Sequence, residues 1–166
     1  MNLLTYNTLF RTGMDLEPEP DLVESYENVS ETQWNFTIKQ GVKFHDGTEM
    51  TVEDVKASLE WAKTFPEVSL YNNDIVSVDI VDDTTVQITT DGPDAMLLNN
   101  LCHHGNAIVP KALIDAGHDF NPEPIGTGPY QFVEWNRGDS IVFEAFEDYF
   151  KGAPAIKKMT WKVIPE

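Results

Sequence analysis

Three short stretches hold the side chains that could do chemistry: His45-Asp46, Cys102-His103-His104 and Gly126-Thr127-Gly128. A histidine beside an aspartate can serve as an acid–base pair or as half of a metal site. Neighbouring residues in a turn point their side chains apart, however, and no second ligand pair stands at metal-like spacing. Asp46-Gly47 accounts for the same residues as a turn former. His103-His104, beside the single cysteine, is the most polar cluster of an expected surface loop, and adjacent histidines rarely face one ion. The pair reads either as a solute contact, because loops on a rigid scaffold concentrate binding residues, or as simply solvated. Gly126-Thr127-Gly128 lacks the glycine spacing, the lysine and the strand-to-helix setting of a phosphate loop. There is no Gly-x-Ser-x-Gly elbow, and the carboxylates are too dispersed to nominate a glycosidase pair. The sequence makes no case for an enzyme, a metal site or a cofactor.

Composition narrows the partners. Eleven Lys and Arg against twenty-eight Asp and Glu give a formal net charge of −17. Such a surface repels phosphate backbones, so nucleic acid is not an expected partner. The chain has 166 residues, 41% of them hydrophobic, enough for a core without disulfides. Cys102 stands alone and has no second cysteine to pair with. No stretch approaches the roughly twenty apolar residues of a membrane-spanning helix. Met1-Asn2-Leu3-Leu4-Thr5-Tyr6 lacks the basic flank and long apolar run of a signal peptide, so export is not written in these residues.

The candidate residues must be positioned by a series of short elements. Apolar residues at 3, 4, 6 and 9 or 10 suit a short helix, and Glu17-Pro18-Glu19-Pro20 is expected to break regular structure. Leu22–Tyr26 and Gln33–Ile38 read as strands around the polar turn Asn28-Val29-Ser30-Glu31. Trp34, Phe36 and Ile38 alternate with Asn35 and Thr37, so one face is buried. Gly41 ends this hairpin, and Val42-Lys43-Phe44 leads into the Asp46-Gly47 turn. Thr51 is an N-cap with Asp54 three residues on, opening a helix to about Lys63 with the stripe Val52, Val55, Leu59 and Ala62. Phe65-Pro66 stops it. Ile75–Val81 and Thr85–Thr90 form a second hairpin through Asp82-Asp83.

A short helix around Pro93–Leu101, the loop Cys102–Asn106 and a helix over Pro110–Ala116 come next. After Pro122-Glu123-Pro124, the expected crossing point between lobes, Tyr130–Trp135 and Ser140–Ala145 pair around Asn136-Arg137-Gly138-Asp139. Ile156–Ile164 is the last strand, with Ile156, Met159, Trp161 and Val163 as its apolar residues. The pattern is α+β, with mixed sheets built from antiparallel hairpins. Most aromatic residues fall at periodic core positions. Tyr6 and Tyr71 sit near element ends, where a ring either packs into the core or lines a cleft with its hydroxyl free.

Two turns tie these elements to a known family. Phe44-His45-Asp46-Gly47-Thr48 and Gly126-Thr127-Gly128-Pro129-Tyr130 set turn formers against an aromatic residue, the chemistry of a rigid turn locked onto a core. The first closes the run Trp34-Asn35-Phe36-Thr37-Ile38-Lys39-Gln40-Gly41-Val42-Lys43, which with Thr51-Val52-Glu53-Asp54-Val55 resembles a signature of the family 5 bacterial extracellular solute-binding proteins. Leu4-Thr5-Tyr6-Asn7-Thr8-Leu9 is similar to that family's Tyr-x-x-Leu opening. Val81–Val86, Ile108-Val109-Pro110-Lys111, Asp148-Tyr149-Phe150 and Val163-Ile164-Pro165-Glu166 follow in the family's order, and Pro154–Lys158 resembles its nickel-binding branch.

The resemblance implies the first lobe of a type II periplasmic-binding-protein-like fold of the peptide-binding class. It also implies a division of the chain: residues 1–9 and 125–166 in a larger base domain, and residues 10–124 in a small extra domain. Family members are several-fold longer, so the resemblance implies a fragment or reduced relative without the second lobe. The implied function is capture of a peptide or another small solute, possibly a nickel chelate, outside the cytoplasm. Delivery would be to an ABC permease, the full-length form being a lipoprotein. An extracytoplasmic sensor or interaction module is the alternative. From their place in the family layout, Tyr6, Tyr71, His103 and His104 are expected to face solute, and the two turns to be structural.

Overall fold

The computed structural model describes residues 2–164; Met1 and the Pro165-Glu166 end of the last family-like motif lie outside them. The helix expected over residues 3–10 is confined to Asn2–Thr5 (α1). Leu9 and Phe10 are instead drawn wholly into the core, and Phe10–Thr12 (β1) pairs with Pro18–Pro20 (β2). This corrects the expectation that the Pro-Glu-Pro run breaks regular structure. A two-stranded ribbon is all edge, where proline's missing donor can face away from the partner. Glu19, between the prolines, lies in register with Arg11 and holds its guanidinium at 2.7 Å.

Val23–Ser30 (β3) and Gln33–Ile38 (β4) make the first hairpin. It is longer than the sequence suggests, since residues 28–30 stay in the strand and the chain turns at Glu31-Thr32. Phe36 and Ile38 are buried and Trp34 packs at the rim of the same core. Val52–Ala62 (α2) starts at Thr51 as expected. One oxygen of Asp54 accepts from the Thr51 amide and hydroxyl, both at 2.8 Å, and the other accepts from the Lys111 amide at 2.7 Å. The Val52, Val55, Leu59 and Ala62 stripe is buried. Pro66 stops α2 but also begins Pro66–Asn72 (α3), a helix the sequence reading lacks. Proline is as much at home in a first turn as it is fatal to an interior.

Ile75–Asp82 (β5) and Thr85–Thr90 (β6) complete a four-stranded antiparallel sheet in the order β3-β4-β6-β5. Val78, Val86 and Ile88 from this sheet share one core with Val55 and Leu59 of α2. Leu97–Asn100 (α4), a 3-10 turn at His104–Asn106 and Lys111–Asp115 (α5) follow. Tyr130–Asn136 (β7), Ser140–Ala145 (β8) and Lys158–Lys162 (β9) form a separate three-stranded sheet over a smaller core of Tyr130, Phe143 and Ala145. β9 is shorter than the expected 156–164 strand: Ile156 and Ile164 lie beyond it, 62% and 86% exposed. The fold class is α+β, as the hairpin pattern implied.

The two family-like turns bind each other. Phe44 and Thr48 close the first turn through an amide-to-carbonyl bond of 2.8 Å, with Gly47 at φ 86° and Asp46 accepting from the Thr48 amide and hydroxyl. The His45 amide then donates to Gly126 O at 2.9 Å. The Gly126 amide donates to His45 Nδ1 at 3.3 Å, so Nε2 carries the proton and donates to Gly128 O at 2.9 Å. Gly128 in turn donates to Thr5 O. A Cβ on Gly128 would lie 2.4 Å from the Thr5 carbonyl carbon and 2.5 Å from Leu4 O. Thr127 is fully buried, its hydroxyl donating to Asn7 Oδ1, and Tyr130 enters β7 directly after Pro129.

Two outcomes follow from this clasp. Gly128→Ala drives a methyl group into backbone that cannot yield, and its cost is on the order of 3 kcal/mol, read as a lower urea midpoint. Burial holds the His45 imidazole below its usual pKa. The unfolded chain therefore takes up this proton first, near pH 6.5, and stability contributed by neutral His45 falls as pH drops below that value toward the lowered folded pKa. The urea midpoint should fall more between pH 7.5 and 5.5 in the parent chain than in His45→Gln; equal falls would remove His45 from the account.

Candidate functional site

α3 and the 3-10 turn are fastened by a buried pair of amides. Asn72 Nδ2 donates to Asn106 Oδ1 at 2.6 Å, Asn106 Nδ2 returns a bond at 3.1 Å, and it also reaches Asn100 O. Gly105 lets Val68 of α3 approach so closely that a Cβ there would meet it at 2.5 Å. The consequence is that Tyr71, on the last turn of α3, lies flat on His103. Their ring centroids are 3.8 Å apart at 16°, and the His104 ring follows at 4.3 Å. The Gly105 amide donates to His103 Nδ1, leaving Nε2–H as that ring's free donor. Partial burial and the neighbouring His104 keep the His103 pKa below its usual value, so near neutrality the ring is an uncharged donor.

This aromatic stack lines an open cleft of about 1060 Å³, across which stand Leu4, Met96 and Trp161. A smaller pocket of about 380 Å³ adjoins it, lined by Tyr6, Arg11, Asp21, Tyr149 and Lys151 among others. Thr12, Cys102 and His104 line both, so the two spaces are immediate neighbours. The four residues nominated from sequence are thus brought to adjoining spaces: Tyr71 and His103 on the large cleft, Tyr6 in the pocket, His104 at the junction. Tyr6 is set there by the clasp, because its ring occupies the volume a side chain on Gly126 would need. Burial raises the Tyr6 phenol pKa, opposed by a hydrogen bond with the Ile125 backbone, and burial likewise raises that of Tyr149. Both stay protonated at neutral pH. Partial burial also raises the Cys102 thiol, which is not primed as a nucleophile.

Arg11, Asp21, Tyr149, Lys151 and Trp161 were not nominated from sequence. No local signal marks them, since Asp21 and Lys151 are 130 residues apart. Asp21 is buried, and its carboxylate accepts from the Lys151 ammonium and, at 2.8 Å, from Asn7 Nδ2. Lys39 Nζ bonds the Asp21 carbonyl at 2.7 Å. Among the described residues, no group of three His, Cys, Asp or Glu side chains is placed to hold a metal ion.

The exposure of the two partners makes the Asp21–Lys151 pair asymmetric. Lys151 can swing into water, whereas Asp21 cannot. Lys151→Met strands a buried carboxylate and is expected to cost about 3 kcal/mol, while the double change Lys151→Met/Asp21→Asn recovers most of that loss. Chemical denaturation of the three chains measures both, and a double variant no more stable than the single one contradicts the account.

Comparison with known proteins gives this geometry a context. Residues 17–166 match the family model described as bacterial extracellular solute-binding proteins, family 5 Middle. The glutathione-binding protein GsiB of Salmonella paratyphi A is 35% identical over 169 residues, covering 97% of this chain and 33% of GsiB. Among solved structures, AgaA from A. tumefacien R10 in complex with agropinic acid superposes with a TM-score of 0.87 at 33% identity, over 97% of this chain and 34% of AgaA. The oligopeptide-binding protein AppA from Bacillus subtilis, in complex with a nonapeptide, gives 0.87 at 31% identity, over 99% of this chain and 35% of AppA. The chain spans about a third of the length of each. It belongs to the family 5 bacterial extracellular solute-binding proteins.

Proposed function

We propose that this chain supplies one wall of a solute cleft in the binding component of an ABC importer, and that the solute is a peptide or a comparably small organic molecule. The observation that carries this reading is the open cleft lined by the Tyr71–His103–His104 stack, with a second pocket beside it, in a chain of this family. Stacked rings that carry hydrogen-bonding groups offer apolar area and hydrogen bonds together, which suits solutes of varied side chains. Relatives named for glutathione, agropinic acid and a nonapeptide support the class. The role proposed is binding, as in the members of this family.

The partition into a base formed by residues 1–9 and 125–166 and a small domain over 10–124 is part of the same proposal. The four-stranded and three-stranded sheets, each over its own core, support it, with Leu9, Ile125 and Phe150 of the base packing onto the larger core. Solute bound against this wall and a facing one would favour a closed form, which an ABC permease in the membrane would then recognise from outside the cytoplasm. Membrane tethering as a lipoprotein belongs to the same picture.

Nuclear magnetic resonance titration of the chain with glutathione and with a nonapeptide tests this reading. Saturable shifts are expected at Gly105 and at the Trp161 indole, with the binding weakened about tenfold by Tyr71→Ala through loss of the stacking face. No saturable shift with either peptide would sink the proposal.

A further inference from the structure

We propose that the smaller pocket is an acid-group receptor: it takes the carboxylate of an organic solute whose apolar body lies along the Tyr71–His103 stack. This rests on the cleft being the solute site, and it names the chemistry of the pocket beside it. The motive is a local inversion of charge. The chain carries twenty-eight carboxylates against eleven Lys and Arg, yet the side chains lining this pocket include two of those cations, Arg11 and Lys151, and a single carboxylate, Asp21.

That carboxylate is already consumed. One Asp21 oxygen holds the Lys151 ammonium and the other holds the Asn7 amide, with the side chain buried. It is in no position to receive a cationic solute. The remaining lining is dominated by donors. Arg11 uses one nitrogen on Glu19, which leaves guanidinium N–H groups for a second carboxylate, and its side chain is 56% exposed. The phenols of Tyr6 and Tyr149 keep their protons, and His104 closes the junction with the larger cleft.

Size and polarity divide the two spaces in the same sense. The pocket, at about 380 Å³, has room for a carboxyl group and a few atoms behind it. The adjoining space, about 1060 Å³, presents Leu4, Tyr71, Met96 and Trp161. A solute with an acidic head and an apolar or aromatic body matches both halves. One with a cationic head meets Arg11, with no free carboxylate among the residues lining this pocket to receive it.

The test uses two probes of one shape, 3-phenylpropanoate and 3-phenylpropanamide, titrated into the full chain at low salt. The acid is expected to bind about tenfold more tightly, the difference of one charge-assisted hydrogen bond. Arg11→Gln, a change at an exposed side chain, should abolish that preference by weakening the acid far more than the amide. Equal affinity for acid and amide, or no saturable binding of either, overturns the proposal, as does an acid preference that survives in Arg11→Gln. A peptide and its C-terminal amide separate this failure from that of the underlying reading. If the two bind alike, only the acid-group assignment falls; if neither binds, the solute cleft falls with it.

Discussion

The His45 ring, held between the backbone of Gly126 and Gly128, is the constraint on which the remaining geometry depends. Two turns 81 and 83 residues apart in sequence meet through it. Closing so long a loop costs entropy that a single neutral hydrogen bond does not offset. The clasp instead uses three bonds at one residue, one from the amide and two at the ring, and adds the Gly128–Thr5 bond beside them. Backbone groups that burial would leave unsatisfied are thereby paired. The joined segments are the exit of the first hairpin, the entry to the three-stranded sheet, and the chain just after α1. Tyr6 follows directly from that last segment, so a contact with no chemistry of its own fixes a cleft residue.

Polar groups are buried in this chain where they fasten one element to another. Asp54 caps α2 and also receives the amide at the head of α5. Asn72 and Asn106 tie α3 to the 3-10 turn, and Ser58 is joined to Val109 by bonds in both directions. Apolar contacts alone would tolerate sliding of these short helices, whereas a saturated polar pair permits one arrangement. The Tyr71–His103 stack inherits its position from this. Its rings are partly exposed and gain little from burial, yet both ends are anchored a residue or two away.

What could be read from sequence divides along the same line between local and distant causes. Period-two alternation found the hairpins, because Phe36, Ile38, Val86 and Ile88 are buried by the strand's own geometry. The Thr51–Asp54 cap is an interaction over three residues and was equally legible. β2 was missed because proline was weighed as a breaker, and only the presence of β1 beside it makes an edge strand. α3 was missed because Pro66 ends one helix and begins the next. The pocket's Arg11, Asp21 and Lys151 converge through the fold, and nothing near each in sequence announces the others. Trp161, one of the apolar residues expected of the last strand, lies within β9, where its ring packs edge-on against Phe143 and also lines the cleft.

That contrast bears on how a family can hold one scaffold and different solutes. AgaA and AppA, solved in complex with agropinic acid and with a nonapeptide, share this chain's path at a TM-score of 0.87 while agreeing at only 33% and 31% of positions. In this chain the clasp asks little of the residues around it: its bonds run mostly to backbone atoms and its two glycines are fixed by space. The cleft makes the opposite demand. Its lining is drawn from side chains on α3, the 3-10 turn, β1 and the segment around Lys151, each of which is attached to the scaffold by a few bonds elsewhere. A change of Tyr71 or Arg11 would alter the cleft without touching the clasp or either core. Solute preference can therefore shift at a cost the fold does not bear, and the position of the cleft wall stays set by contacts that no solute reaches.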